Sequence, residues 1–471
     1  MGILDKQRTV APPGFSRWLI PPCALATHLC IGQVYASSVF NLPLTRQLGI
    51  ARSVPGDWRL TDIGWIFTIA IVVLGVSAAL FGNWVQSVGP RKSGTIAALC
   101  WGGGFLVGAL GIHLHQLWLV YLGYGVLGGC GLGMGYITPV STLIAWFPDR
   151  RGMATGMAIM GFGGGALIAS PLSDFLMKRL ATPTSTGVVE TWIVLGLIYL
   201  TFMLAGAFGY RVPDAGWKPA GWKPQLQAAR SLVTTSNVTP RGAVRTPQFW
   251  LLWVILCFNV TAGIGVLGQA SAMIQEVFKG RIAASAAAGF VGLLSLFNMG
   301  GRFFWASLSD KIGRKATYAT FFVLGPILYA LVPLSGSLGS VPLFVAAFCV
   351  ILTMYGGGFA TIPAYLADVF GTKYVSAVHG RLLTAWSMAG VLGPVLVNYL
   401  RQFKIDQGMP KAEAYNATMY IMAGLLVIAF FANLAITPVA DKNLEKPGSE
   451  QRQREPPAPL RGSLTARRAG T

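Results

Sequence analysis

Apolar stretches of roughly twenty to thirty residues recur along the chain, separated by short polar turns. They run over 18–43, 63–85, 94–112, 117–146, 152–176, 191–210, 247–270, 285–308, 317–335, 341–366, 376–400 and 414–437. A helix needs about twenty apolar residues to cross the roughly 30 Å hydrocarbon core of a bilayer. The pattern therefore predicts twelve transmembrane helices. Residues 211–246 interrupt it near mid-chain with GWKPAGWKP (216–224) and then a Ser/Thr/Gln/Arg-rich stretch. Pro, Lys and Trp together fit a linker lying on the inner membrane face, with tryptophan at headgroup level. The division expected is a segment 1–17, a six-helix half 18–210, the linker 211–246, a second half 247–437 and a disordered tail 438–471. The first apolar stretch is too long for a cleavable signal peptide and lacks a small-residue cleavage site.

Composition sharpens this picture. Only 11% of residues are charged and 54% are hydrophobic, whereas a soluble domain carries about 25% charged residues. The net charge of +20 would suggest nucleic acid in a soluble protein, but its location decides otherwise. With the N-terminus inside, inner segments hold 25 of the 36 Lys and Arg, outer loops hold 10, and Arg302 lies between. Basic residues are retained on the cytoplasmic side during insertion. This predicts a multi-pass protein of the cell inner (plasma) membrane with both termini cytoplasmic, partnered by the lipid bilayer and not by nucleic acid, and working as a monomer. The six cysteines all fall within spans without metal spacing and read as packing residues. His113 and His115 at an outer loop have no carboxylate or cysteine to complete a metal site, so neither metal nor cofactor is expected.

The halves repeat. GNWVQSVGPRK (82–92) lies between spans 2 and 3, and ASLSDKIGRK (306–315) between spans 8 and 9, at an offset of 224 residues. The same offset relates Pro139 to Pro363 and Gly156 to Gly380. Duplicated halves with a site between them are the architecture of alternating-access carriers. The pattern G-x-x-x-D-[RK]-x-G-[RK]-[RK] resembles the signature of the major facilitator superfamily. Its first copy here has Gly82, Gly89, Arg91 and Lys92 but Gln86 at the acidic position. Its second copy has Asp310, Lys311, Gly313, Arg314 and Lys315 but begins with Ala306. These residues are expected to form a conformational latch, a carboxylate holding arginines and helix ends in one state and releasing them in the other, with Gln86 as its neutral version. GQVYASSVF (32–40), WFPDRRGMATGMAIMGFGGGAL (146–167), GWKPAGW and FNMGGRFFWASLSDKIGR (297–314) more narrowly resemble the oxalate/formate antiporter group. The resemblance implies an all-α membrane protein with twelve transmembrane helices in two pseudo-symmetric six-helix halves, the major facilitator fold.

Arg302 is the residue the pattern does not explain, because it sits inside span 8. A charge at mid-bilayer costs about 2.5–3.5 kcal/mol on insertion scales and normally faces a partner or a wet cavity. Eight residues from Asp310, at about 1.5 Å each, put it roughly 12 Å inward. No Asp or Glu lies deep in any span, so the missing anion is assigned to the substrate, against the alternative of a structural arginine held by carbonyls. As the resemblance implies, oxalate-transporting relatives pair this arginine with a lysine in helix 11, where this chain has Trp386. One cation suits a monocarboxylate or a bulkier acid better than oxalate. Polar and aromatic companions are expected from Gln33, Tyr35, Tyr136, Tyr355 and Asn298, with His28, Asn41, Thr138, Asn259, Gln269 and Thr361 as further candidates; interhelical hydrogen bonding is the competing role for each. The glycines of 128–135 and 161–166 lack the strand that a nucleotide loop needs. They are expected to form the sliding contact between halves, as is GVLGP (390–394).

The function expected is secondary active transport of a small organic anion, a mono- or dicarboxylate, by exchange through alternating access. A proton-coupled symporter or exporter of a sugar or drug-like solute would share the fold. A transporter-like sensor would need an output domain larger than the 34-residue tail. With no nucleophile–base pair, metal cluster or paired intramembrane carboxylate, enzymatic chemistry is not expected.

Overall fold

In a computed structural model of the protein, residues 2–222, 232–234, 236–279 and 281–445 are described. Twelve long helices carry the fold: α1 (Arg17–Leu44), α2 (Leu60–Val88), α3 (Pro90–His113), α4 (Leu117–Trp146), α5 (Arg151–Leu180), α6 (Val188–Gly209), α7 (Pro247–Val277), α8 (Ala284–Ile312), α9 (Arg314–Ser337), α10 (Val341–Phe370), α11 (Val375–Asp406) and α12 (Asn416–Leu434). Eleven of them contain a stretch long and apolar enough to cross a membrane. The twelfth, α8, is 29 residues long and is the helix that contains Arg302. The twelve-helix, two-half layout expected from the apolar pattern is the layout observed.

Turn chemistry fixes where the helices stop. Gly89, Gly313 and Gly371 end α2, α8 and α10 with φ of 84°, 90° and 83°, a region where a Cβ is strained. The first two are the glycines of the repeated loop motif, so the internal repeat has a common backbone cause. α1 is not uniform: its Ile20–Ile31 portion is α-helical, and Gly32–Phe40 tightens to a 3-10 helix. At that junction a Cβ on Gly32 would lie 3.0 Å from the Gly165 Cα, so α1 and α5 touch through their backbones.

The small residues divide their work differently from the sequence expectation. Within 128–135, Gly129 and Gly133 pack on α2, and Gly131 packs on Trp101 of α3, so this run closes the first half upon itself. The contact between halves runs instead through α5 against α8 and α2 against α11. Gly156 and Gly163 lie on Arg302 and Gly164 on Met299, while Gly82 lies on Ala377 and Gly390 on Ile71. Gly393 faces Thr261 and Ile264 of its own half. The reason is that helical small residues pack wherever two backbones approach, within a half as readily as between halves.

Call the end of the bundle bearing the linker and the first described residues the linker end. Cross-half hydrogen bonds among the described residues all fall between that end and the level of Tyr35 and Ser387. The state described is thus closed at the linker end. A Cβ added at Gly82 would meet the Ala377 Cα at 2.8 Å. Gly82→Val should wedge this seam at a cost of about 1–3 kcal/mol, raising labelling of a cysteine placed at Ala377 from the linker side.

Candidate functional site

Arg302 is completely buried, with 0% exposure. Its Nε donates to Oδ1 of Asn298, one turn earlier on α8, at 3.2 Å. Its Nη1 reaches the Ile159 carbonyl of α5 at 3.4 Å, and its Nη2 is buried without a hydrogen-bond partner. Among the described residues no carboxylate forms an ion pair with it. Guanidinium stays charged in any protein environment, so a full positive charge faces an interior that offers it only neutral dipoles: the Ile159 carbonyl, the Asn298 amide and the nearby Tyr35 hydroxyl. Two aromatic faces soften the deficit, Phe359 at 5.2 Å and Phe162 at 5.8 Å from the guanidinium carbon.

Those rings belong to a cluster drawn from both halves. Trp386 of α11 lies 4.5 Å from Phe359, 5.2 Å from Phe162 and 5.3 Å from Tyr136, centroid to centroid. Tyr35 packs edge-on to Phe162 at 5.2 Å, and its hydroxyl pairs across the halves with that of Tyr355 at 3.2 Å. The Tyr136 hydroxyl and Trp386 Nε1 are buried without partners, as is Arg302 Nη2. Buried polar atoms are nearly always satisfied. A guanidinium and two unpaired ring donors, gathered around the Phe162 and Phe359 rings and carrying one net positive charge, suit a small anion that has an apolar body.

Of the residues singled out from sequence, the structure brings Arg302, Asn298, Tyr35, Tyr136, Tyr355 and Trp386 together. Gln33 is not with them. Its Oε1 accepts from the Tyr124 hydroxyl at 3.1 Å, in the first half's own aromatic core. Residues two apart on a helix point to different faces, so Gln33 and Tyr35 could not both line one cavity. Gln269 bonds Asn398 within the second half and Thr138 bonds Ser93 within the first. His28 sets its ring nitrogens beside two carbonyls, of Ala158 at 2.6 Å and Tyr136 at 3.2 Å, and the neutral ring donates to one of them according to its tautomer, so it ties α1 to α5 or α4. Phe162, Phe359 and His379 were not identified from sequence. The first two look like ordinary packing residues, and His379 lies near the start of α11, where it gives no intramembrane signal.

The residues expected to form a latch lie at the linker end. Asp310 accepts from the backbone N–H groups of Gly152 and Met153 at 2.9 and 2.8 Å, an anion on the positive end of α5. Arg314 joins Asp310 at 2.7 Å and Asp368 of α10 at 3.0 Å, and Arg151 of α5 reaches Asp368 at 2.8 Å. Lys315 donates to the carbonyls of Leu434 and Ile436 at the end of α12. The first copy is different in kind. Gln86 donates to the Lys373 carbonyl across the halves, while Arg91 donates to the carbonyls of Ile3 and Phe208 within its own half.

The Major Facilitator Superfamily profile matches residues 23–394 and 301–469. The oxalate:formate antiporter of Oxalobacter formigenes is 30% identical over 384 residues, covering 80% of this chain and 83% of that protein. The apicoplast pyruvate carrier 1 of Toxoplasma gondii is 24% identical over 445 residues, covering 83% and 78%. Among solved structures, the proton:xylose symporter XylE bound to 6-bromo-6-deoxy-D-glucose superimposes with a TM-score of 0.64 at 14% identity, covering 89% of this chain and 96% of that one. Profile, relatives and architecture agree, and the chain belongs to the Major Facilitator Superfamily as a membrane transporter rather than an enzyme.

Proposed function

We propose that the protein exchanges small organic anions across the membrane, with Arg302 as the group that grips the cargo's carboxylate. The observation carrying this reading is a fully buried guanidinium that has an unpartnered Nη2 and no carboxylate partner among the described residues. A planar carboxylate offers two acceptors matching the guanidinium fork. Tyr136 and Trp386 supply donors for a second oxygen, and the rings around them accept an apolar carbon skeleton. The relatives that act on oxalate, formate and pyruvate are consistent with a carboxylate cargo.

Exchange follows from electrostatics. With the site empty, closing the halves around Arg302 buries an uncompensated charge, whereas a bound carboxylate neutralises it. The loaded carrier therefore reorients more readily than the empty one. In this reading the linker end faces the cytoplasm of a cell whose inner membrane holds the protein, and one chain suffices. The test is uptake of a labelled monocarboxylate into proteoliposomes with and without unlabelled anion inside. Trans-anion should accelerate uptake; equal uptake without it, driven by a pH gradient, would refute exchange.

Trp386 is the specificity element of the proposed site. Trp386→Lys would place a second cation against the Phe162 and Phe359 rings that also flank the guanidinium, and remove apolar wall. Oxalate binding should strengthen by about tenfold or more, the worth of one charge-assisted hydrogen bond, and apolar monocarboxylates should weaken. Thermal-shift titration of the purified variant with oxalate and formate measures both.

A further inference from the structure

α11 has a second polar group on the side that Trp386 presents to the first half. His379 is seven residues before Trp386, two helical turns and roughly 10 Å nearer the linker end. It is buried to 1% exposure, and its Nε2 has no hydrogen-bond partner. Its ring lies 5.8 Å from that of Tyr136, and the Tyr136 ring lies 5.3 Å from Trp386. The row Trp386–Tyr136–His379 thus runs from the guanidinium's aromatic wall toward the closed end, with an unpartnered polar atom on each member. His28, the other buried histidine, sits between the carbonyls of Ala158 and Tyr136, either of which can take its N–H.

Few charges compete for His379. From α4 it meets Tyr136, behind which lies His28 of α1. α2 presents Ala78 and Gly82 to this stretch. α10 brings Asp368, whose carboxylate is held by Arg151 and Arg314. The short helix Pro240–Val244 brings Arg241, and α11 itself carries Arg381, which donates to the Ala377 carbonyl. A carboxylate set beside an imidazole favours its protonated form.

Resting on the anion-carrier reading, we propose that His379 is a proton-dependent second cation, which adapts the Arg302 site to dicarboxylates. A monocarboxylate binds at Arg302 alone and leaves His379 neutral. A dicarboxylate long enough to reach past Tyr136 sets its second carboxylate against His379. The imidazole then takes one proton from bulk water at Nε2 and donates it as a hydrogen bond, so that two positive charges face two negative ones. Dicarboxylate and proton therefore bind together. The exchange of a monoanion for a dianion plus one proton is then electroneutral.

The test compares lactate with tartrate, both fully ionised across the range used, on the purified full-length protein at about pH 5.5 and about pH 8, either side of histidine's ordinary titration. Wild type should bind tartrate about tenfold or more tighter at the lower pH, taking up close to one proton per tartrate in weakly buffered solution, while lactate affinity stays flat. His379→Gln should remove the acid enhancement and the proton uptake with lactate affinity retained, which also certifies the fold. His379→Lys should bind tartrate tightly at both pH values. Acid enhancement that survives in His379→Gln, or tartrate binding that is absent or independent of pH in wild type, overturns the proposal. Lactate binding that survives Arg302→Gln overturns the anion-site reading instead, whatever the tartrate arm gives.

Discussion

Arg302→Gln should weaken carboxylate binding by about a hundredfold, read by thermal-shift or fluorescence titration, and reduce exchange in proteoliposomes to background. Truncating one partner of a desolvated, hydrogen-bonded charge pair costs about 2–5 kcal/mol, and about 3 kcal/mol is two decades in affinity. The sign of the accompanying stability change separates a substrate anchor from a structural arginine. In the empty protein, Arg302 has 0% exposure and an unpartnered Nη2. Replacing an unpaired buried charge with an apolar side chain of similar volume relieves that desolvation. Arg302→Met should therefore unfold at the same temperature as wild type or higher while losing anion binding. A structural arginine would behave oppositely: its bonds to the Ile159 carbonyl and the Asn298 amide would outweigh the cost of burying its charge, and its loss would lower the unfolding temperature. Wild-type exchange by either variant would end the anchor reading.

The helical scaffold was readable from sequence because bilayer physics constrains it so strongly: every span had to be long, apolar and helical, and polar interruptions had few places to fall. Arg302 stood out for the same reason, as a charge set deep inside a span. The rest of the site was less accessible. Phe162 and Phe359 matter because helices from opposite halves bring them to the two faces of one guanidinium, and nothing in their local sequence records that meeting. Arg151 and Asp368 pair across 217 residues, each looking alone like an ordinary helix-end charge. Gln33 illustrates the opposite error. Its neighbourhood resembled a family motif, yet its own helical phase already directed it away from Tyr35 and toward Tyr124. The glycines of 128–135 failed as a between-halves contact because composition reports close approach without saying to whom.

The internal repeat exposes an asymmetry whose consequence is the second large effect. Shifted by 224 residues, Asp310, Asp368 and Arg151 correspond to Gln86, Ile144 and Val375, and the motif partner of Arg314, Arg91, bonds the Ile3 and Phe208 carbonyls instead of a carboxylate. One linker-end seam is thus clamped by four charges and a helix terminus, and its pseudo-equivalent by the amide of Gln86 on the Lys373 carbonyl. Asp310 contributes two charge-assisted bonds to the α5 N-terminus across the halves, and hydrogen bonds to charged groups are worth about 1.5–3 kcal/mol each. Asp310→Asn keeps the shape but removes the charge, so one N–H of α5 loses its acceptor and the other keeps only a neutral one. The closed-to-open ratio at the linker end should fall by about a hundredfold, which a loss of about 3 kcal/mol implies. Gln86→Ala should shift it by no more than about fivefold, one neutral hydrogen bond of about 1 kcal/mol. Spin-label distances between the α2–α3 and α10–α11 loops, measured in wild type and both variants, test the ordering. Equal shifts for the two variants would show that the charged seam does not govern the closed state. A large shift for Asp310→Asn alone would show that the charged seam where α8 meets α5, beside Arg302, carries most of the closed state's stability. Opening would then be gated by the same helix that holds the proposed cargo.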